Sequence, residues 1–186
     1  MHDDIQKILL TKEQIATRVA ELGQTLAQEY AGKEPVFIGV LKGVVVFFAD
    51  MVRATPIPCQ FDFMAVSSYD GTVTTGQLQM KKDVSVEIKG RHVVILEDIL
   101  DSGLTLRAVA NHLSAMEPAS LKICALLDKP ARREAEIEAD YVGFTIPNEF
   151  VVGYGLDYNE KYRNLPFIGV LLKKDEDLNT LQKRRY

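Results

Sequence analysis

The sequence predicts an α/β fold in which a parallel sheet is covered by helices on both faces. Short apolar runs at 35–41, 92–100 and 121–128 lack a helical period, which is typical of strands buried on both faces. A helical apolar pattern at 104–116 separates two of these runs, as in a parallel crossover unit. Apolar residues make up 47% and charged residues 26% of the 186 residues, as in ordinary globular proteins, so one domain over 1–186 is expected.

The first part of the chain predicts a helix, a strand, a tight loop and a second helix. Thr11 begins a capping-box pattern, and apolar residues then recur at helical spacing until Gly32 supplies a stop. The apolar run 35–41 predicts the strand. Lys42-Gly43 interrupts the apolar sequence as a loop, and 44–52 predicts the second helix.

A hairpin with a long polar tip is predicted next. Phe61, Phe63 and Ala65 alternate with other residues, which indicates a half-buried strand. Residues 68–76 are polar, and 77–82 then continues in extended form as the return arm. Long tips of this kind are often functional lids, and a disordered surface hairpin is the alternative.

The rest of the chain predicts a strand at 92–100, a helix at 104–116 and a strand at 121–128, which together form the crossover unit. The tail at 173–186 is charged and predicts a short terminal helix or a frayed end. Further strands are predicted at 140–146, 150–155 and 166–172.

Charge and cysteine usage exclude several classes of protein. A formal net charge of −4 gives no general attraction to nucleic acid or to anionic membranes. Cys59 and Cys124 are far apart and lack metal-ligand spacing, so neither a disulfide scaffold nor a zinc site is expected. The sequence has no apolar run of signal-peptide or membrane-span length. We therefore expect a cytoplasmic protein.

Three carboxylates follow a buried strand in the segment EDILDSGLT at 97–105. Ligands of parallel sheets gather at the carboxyl ends of the strands. The small residues of this segment let backbone N–H groups converge on an anion just before a helix, which is the form of a phosphate cradle. Neither the Walker ending nor the dinucleotide glycine pattern is present. The cradle runs from Asp101 through Ser102, Gly103 and Leu104 to Thr105.

The acids indicate a sugar next to the phosphate. Carboxylates beside a cradle would repel a bare phosphate unless they face another part of the same ligand. Glu97 and Asp98 lie at the strand end, where both can turn toward two vicinal hydroxyls. Asp101 lies inside the loop, close enough to meet the reacting atom. Helix capping by Asp98 and Asp101 is the alternative, because lone Asp residues usually have that role.

The strand and acid pattern of 93–105 resembles the 5-phosphoribosyl 1-diphosphate (PRPP) motif of type I phosphoribosyltransferases. The resemblance implies a Rossmann-like core, a small hood formed by the N- and C-terminal segments, and a flexible hairpin lid. Leu41-Lys42-Gly43 matches the family's diphosphate loop, where the peptide before Lys is often cis. Ser68-Tyr69 resembles the start of the lid, which excludes water during reaction.

The resemblance also assigns the site of a purine. Lys129 matches the lysine that donates to the oxygen of a 6-oxopurine, which disfavours adenine. Phe150 would stack on the base and Val151 would present backbone groups to its edge. Asp157 would ligate Mg²⁺, for which Glu97 and Asp98 are further candidates. Arg163 matches a diphosphate-contacting arginine.

The implied reaction transfers the phosphoribosyl group of PRPP to hypoxanthine, and to guanine, with release of diphosphate. It would give IMP or GMP in purine salvage, with Mg²⁺ as cofactor. Asp101 is the candidate catalytic residue, because it would lie near N7 of the purine. A PRPP-sensing regulator and a transferase that prefers xanthine or guanine are the alternatives. The family implies a homo-oligomer, either a dimer or a tetramer.

Overall fold

A computed structural model describes residues 2–68 and 78–172, and this part of the chain contains nine strands and three α-helices. The strands are β1 (Ile5–Leu10), β2 (Val36–Leu41), β3 (Gln60–Ser68), β4 (Leu78–Lys82), β5 (His92–Leu100), β6 (Ser120–Asp128), β7 (Tyr141–Thr145), β8 (Val151–Val152) and β9 (Ile168–Leu171). The helices are α1 (Lys12–Glu29), α2 (Val45–Ala54) and α3 (Leu104–Ser114).

The larger sheet has six strands in the order β4-β3-β2-β5-β6-β7, and only the edge strand β4 pairs antiparallel to its neighbour. Alternate residues of β5 point to opposite faces, as the pleat requires. Val94 and Leu96 belong to the apolar cluster that contains α1 and α2. Val93 and Ile95 belong to the cluster that contains α3. The predicted class, a mostly parallel sheet with helices on both faces, is confirmed.

The predicted capping box at the start of α1 is present. The Thr11 hydroxyl oxygen accepts from the Gln14 backbone N–H, and the Gln14 side chain accepts from the Thr11 backbone N–H. Farther along, a Cβ atom on Gly23 would lie 2.3 Å from the backbone oxygen of Ala54. Glycine therefore lets α1 approach α2 closely on one face of the sheet.

A smaller sheet in the order β1-β9-β8 joins the two ends of the described chain. β1 pairs antiparallel to β9, as does β8, so the N-terminal segment and the segment around 168–171 form one layer. This sheet is the predicted hood. The sequence pattern did not predict β1, because Gln6 and Lys7 interrupt its apolar residues. The strand predicted at 150–155 is shorter than expected and contains only Val151–Val152.

The antiparallel pairing of β3 with β4 confirms the predicted hairpin. Its tip, residues 69–77, and the tail at 173–186 lie outside the described residues, and so do the predictions made for them. Within β3 the fully buried side chain is Met64, whereas Phe61 is 57% exposed. Both faces of β3 carry buried or partly buried residues, because Phe63 packs against the cluster that contains α2 and Met64 against the cluster that contains α3.

Within the described ranges, no helix has both the length and the apolar character needed to cross a lipid bilayer.

Candidate active site

The loops that follow β2 and β5 meet at one edge of the larger sheet. The two strands are parallel neighbours, so their carboxyl ends lie side by side. A cavity of about 250 Å³ opens between these loops. It is lined by Val40, Leu41, Lys42, Gly43, Val66, Glu97, Asp98, Ile99, Leu100, Asp101, Ser102, Gly103, Thr105 and Leu106. The structure therefore joins the diphosphate loop, the acid pair and the phosphate cradle predicted from the sequence.

Glu97 and Asp98 form a buried acid pair in this cavity. Burial raises the pKa of Glu97 well above its usual value, and the adjacent Asp98 raises it further. Burial also raises the pKa of Asp98 to about 6, against the opposing effect of backbone N–H donors. One such donor is the Ile99 N–H, 2.9 Å from Asp98 Oδ1. Burial and mutual repulsion therefore disfavour the ionisation of both carboxyl groups at once.

The diphosphate loop lies against the acid pair without intervening space. A Cβ atom on Gly43 would lie 1.8 Å from Asp98 Oδ2, so a side chain at this position would displace the carboxylate. A Cβ atom on Gly155 would in turn lie 2.0 Å from the backbone oxygen of Gly43. Three chain segments are therefore stacked through two glycines. The peptide bond between Leu41 and Lys42 is cis.

The phosphate cradle is held by the segment that follows β6. Gly103, with φ of 81°, directly precedes α3, and Thr105 lies in the first turn of that helix. The backbone oxygen of Ser102 accepts from the N–H groups of Glu134 and Ala135 at 2.9 and 3.1 Å. The N–H groups at the start of α3, of which that of Leu104 donates to Ser102 Oγ at 3.4 Å, therefore belong to a fixed loop that lines the cavity, as anion binding requires.

Asp101 and Lys129 belong to the loops after β5 and β6, which are also adjacent strands. The backbone N–H of Lys129 donates to Leu100 O at 3.0 Å, which joins the two loops. Lys129 is only 6% exposed, and burial lowers the pKa of its ammonium group, although the charge of Asp101 opposes this effect. A buried amine of this kind can form a strong, charge-assisted hydrogen bond with a ligand oxygen.

Sequence reasoning missed Arg132, which lies next to Asp101. Its Nε atom donates to Asp101 Oδ1 at 3.2 Å, and the two residues are 31 positions apart. Only the basic pair Arg132-Arg133 directly after a strand end could have indicated such a contact from the sequence. Arg133 forms a different ion pair, with Asp128.

The segment after β8 carries an ion-pair network close to the diphosphate loop. Arg163 Nη2 lies 2.8 Å from Asp157 Oδ1, and its Nη1 donates to Gly155 O at 2.7 Å. Lys42 Nζ lies 3.3 Å from Glu160 Oε2, which is 3.5 Å from Arg163 Nη2. The charge of Arg163 also acts on Asp98, whose pKa it lowers slightly against burial. The segment is therefore electrostatically coupled to the cavity.

The backbone of this segment has an unusual number of left-handed residues. Strained conformations of this kind persist where the surrounding structure fixes them, and they cluster at functional sites. The Tyr154 hydroxyl, for example, donates to Asp50 Oδ2 at 2.6 Å, which fixes the segment to α2. The residues with positive φ are Gly153, Tyr154, Gly155, Asn159, Glu160 and Tyr162.

Not every predicted site residue lines the cavity. Phe150 directly precedes β8, Val151 is buried in the small sheet, and the Phe150 ring meets the Tyr158 ring edge-on at 5.7 Å between centroids. Ser68 ends β3, and Tyr69 lies outside the described residues. Within the described part of the chain, the predicted site residues that are absent from the lining are Ser68, Leu104, Lys129, Phe150, Val151, Asp157 and Arg163.

A second cavity, of about 720 Å³, borders the segment after β6. It is larger, but its lining from Asp128 to Val142 includes none of the predicted site residues that the structure describes. Its polar lining is dominated by the Asp128–Arg133 ion pair and two exposed glutamates. The smaller cavity is the better site candidate, because it combines an anion cradle with acids of perturbed pKa.

The acids predicted to hold Mg²⁺ do not form a closed metal site by themselves. In residues 2–68 and 78–172, no three His, Cys, Asp or Glu side chains are grouped closely enough to bind a metal. The donor set nevertheless fits a cation that keeps most of its ligands on a substrate. Glu97 Oε2 is buried without a hydrogen-bond partner, and carboxylate oxygen is the ligand type that Mg²⁺ prefers.

Comparisons with known proteins show the family to which this chain belongs. Residues 6–159 match the family model described as "Phosphoribosyl transferase domain". The chain is 51% identical to the hypoxanthine-guanine phosphoribosyltransferase of Streptococcus pneumoniae, over 92% of this chain and 96% of that protein. A crystal structure of a hypoxanthine phosphoribosyltransferase from Staphylococcus aureus has a TM-score of 0.90 at 49% identity, covering 95% of this chain and 96% of that one.

The chain also resembles part of a longer protein. It is 49% identical to the "Bifunctional protein TilS/HprT" of Listeria monocytogenes over 92% of its own length, but it spans only 26% of that relative.

Proposed function

Because this chain belongs to the phosphoribosyltransferase family, we propose that its strand-end cavity transfers the 5-phosphoribosyl group of PRPP to a 6-oxopurine. The protein is a pentosyltransferase of purine salvage, which converts hypoxanthine and guanine to IMP and GMP with release of diphosphate. The observation that carries this conclusion is the junction of the loops after β2 and β5 in one cavity, where Gly43 contacts the Asp98 carboxylate beside the cradle at 101–105.

The cradle binds the 5-phosphate. N–H groups at the start of α3 and the hydroxyls of Ser102 and Thr105 surround an anion at the positive end of the helix dipole. Because the cradle backbone is held through Ser102 O, the phosphate fixes the position of the ribose relative to the strand end.

The acid pair binds the ribose hydroxyls. The raised pKa values of Glu97 and Asp98 reduce their net negative charge near neutral pH, so they can face a phosphorylated sugar without strong repulsion. A carboxyl group that keeps its proton can donate to a hydroxyl, and its ionised neighbour can accept from one.

Bond breaking at the anomeric carbon leads bond making in reactions of this kind, so negative charge develops on the leaving diphosphate. Backbone N–H groups of 41–43, with Lys42 and Arg163, stabilise that charge. Asp157, Glu97 and Asp98 are the residues that would hold Mg²⁺, which supplies charge neutralisation for the diphosphate.

The purine binds beside the loop that follows β6. Lys129 donates to the 6-oxo group, and Asp101 accepts a proton or a hydrogen bond near N7. Phe150 stacks on the base, and Val151 offers backbone groups to its edge. Ser68 and Tyr69 begin the segment that would close over the diphosphate and exclude water.

A direct assay tests this function. Purified protein is mixed with PRPP, Mg²⁺ and hypoxanthine, guanine, xanthine or adenine, and nucleotide formation is followed by absorbance. We expect turnover with hypoxanthine and guanine and very little with adenine. Binding of PRPP without turnover of any purine would favour a regulator instead, and a preference for xanthine would favour the related transferase. A homo-oligomer and a cytoplasmic location stay predictions.

A further inference from the structure

We propose that Arg132 is a positioning residue that orients Asp101 toward the purine. This inference rests on the proposed function and extends it to a residue that no sequence motif assigned. Arg132 Nε donates to Asp101 Oδ1 at 3.2 Å, so the ion pair uses one carboxylate oxygen. The other oxygen, Oδ2, is the one that would meet the base.

The backbone around this ion pair is fixed at several points. Arg132 ends a short 3₁₀ turn, and its own N–H donates to Lys129 O at 3.1 Å. On one side, the Lys129 N–H donates to Leu100 O, the residue before Asp101. On the other side, the Glu134 and Ala135 N–H groups donate to Ser102 O, the residue after Asp101. These hydrogen bonds fix the loop after β6 against the loop after β5. The Arg132 guanidinium therefore meets the Asp101 carboxylate at a defined place.

This ion pair has little value as a stabilising contact. The side chains of Arg132 and Asp101 are 35% and 40% exposed, and pairs with that exposure contribute about 0–1 kcal/mol to stability. The expected consequence of the contact is orientation, because a planar guanidinium restricts the carboxylate that it binds.

The two cationic residues next to Asp101, Lys129 and Arg132, have different roles in the proposed site. Lys129 is buried and is assigned to the purine oxygen, so its ammonium group is engaged when the base is bound. Arg132 is always charged and can keep its contact with Asp101 throughout the reaction. Arg133, the next residue, pairs with Asp128 and lines the larger cavity, so the neighbouring arginine does not duplicate this role.

Four variants test the proposal: R132Q, R132K, D101N and the double variant D101N/R132Q. Arg91→Gln is the matched control, because Arg91 precedes β5 and so lies at the opposite edge of the sheet, where it donates to Glu34 O. Steady-state kinetics with hypoxanthine and PRPP give kcat and both KM values, and thermal unfolding checks the folded state of each variant.

We expect R132Q to lower kcat roughly 10- to 100-fold while the KM for PRPP stays within about threefold of the wild type. R132K retains the charge without the planar group and should recover part of the rate. In the D101N background, R132Q should cause no further loss, because the residue that it positions is already altered. R91Q should have the kcat and the melting temperature of the wild type.

A kcat of R132Q equal to that of R91Q would overturn the proposal. So would a double variant in which the two losses multiply, since that result would show that Arg132 acts independently of Asp101. If R132Q proves unstable, R132K decides: a folded R132K with the kcat of R91Q would overturn the proposal, whereas a lower kcat with an unchanged KM for PRPP would support it. A wild-type protein that makes no nucleotide would overturn the proposed function as well, whereas an active wild type with unaffected variants overturns only the role of Arg132.

Discussion

The four acids of the candidate site fall into two pairs with opposite environments. Glu97 and Asp98 are enclosed at the end of β5, and burial raises the pKa of both. Asp101 and Asp157 are partly exposed, and each contacts an arginine, at 3.2 Å for Arg132 and 2.8 Å for Arg163. Similar carboxyl groups are therefore placed in different environments within one candidate site.

This difference matches the parts of the substrate that each pair would meet. A buried pair that can share a proton suits neutral hydroxyls next to a phosphate, where two full negative charges would be unfavourable. An acid held by an arginine has a defined orientation, which suits a purine proton or a cation. The local environment, and not the residue type, separates ribose binding from chemistry.

The largest effect on turnover is expected for Asp101, the acid that pairs with Arg132 and would meet the purine. Asp101→Asn keeps the shape of the side chain but removes its capacity to accept a full proton. We expect kcat to fall roughly 10²- to 10⁴-fold, with little change in the KM for PRPP, as for the loss of a general base. Steady-state kinetics measure both. Near-normal turnover would show that Asp101 does not differ in function from the ribose-binding acids.

The second-largest effect is expected for Lys129, the buried amine next to Asp101, and it concerns the KM for hypoxanthine. Lys129→Ala removes a charge-assisted hydrogen bond to the 6-oxo group, so the KM for hypoxanthine should rise roughly 10- to 100-fold. The ratio of kcat/KM for hypoxanthine to that for adenine should fall as well. Both follow from the same absorbance assay. Unchanged hypoxanthine kinetics would mean that this side of the cavity does not bind the base.

The smallest effect is expected on the free energy of unfolding, and it distinguishes the buried acid Asp98 from the arginine-paired acid Asp157. Because burial holds the pKa of Asp98 at about 6, ionising it in the folded protein costs free energy, and this cost grows as the pH rises through that value. Asp98→Asn avoids the cost. Its free energy of unfolding should exceed that of the wild type by about 1–3 kcal/mol near pH 8, and the difference should vanish near pH 4.

Urea unfolding without ligands or Mg²⁺ measures this difference at each pH. Asp157→Asn is the control, because it removes an acid that contacts Arg163 at 2.8 Å. Its stability near pH 8 should be equal to or lower than that of the wild type. Stabilisation of both variants to the same degree would contradict the division of the acids into two kinds. Activity with PRPP should be weakened by Asp98→Asn even where the protein is more stable.

Some of this site could be predicted from local sequence. The run 92–100 is a strand because it is apolar and bounded by polar residues, and the small residues after Asp101 lead into α3. Lys42-Gly43 could be recognised as a loop in the same way, because it interrupts two apolar segments. These features depend on side-chain periodicity and backbone freedom, which are properties of short segments.

Other features depended on segments that are distant in sequence. β1 has a weak strand pattern and forms because β9 pairs with it more than 150 positions later. Phe61 is 57% exposed, although it lies on the same face of β3 as Phe63, which packs against the apolar cluster that contains α2. In both cases the packing of neighbouring elements overrides the local pattern.

The sequence by itself determined the class of fold, the phosphate cradle and the identity of the acids, because each of these depends on residues within about a dozen positions. Only the tertiary structure decided the burial of Glu97 and Asp98 and the orientation of Asp101. Asp98 is buried by a loop from β2, and Asp101 is held by an arginine 31 positions away. Burial and long-range ion pairs are set by which strand ends meet at the edge of the sheet, and a carboxyl group responds to that environment.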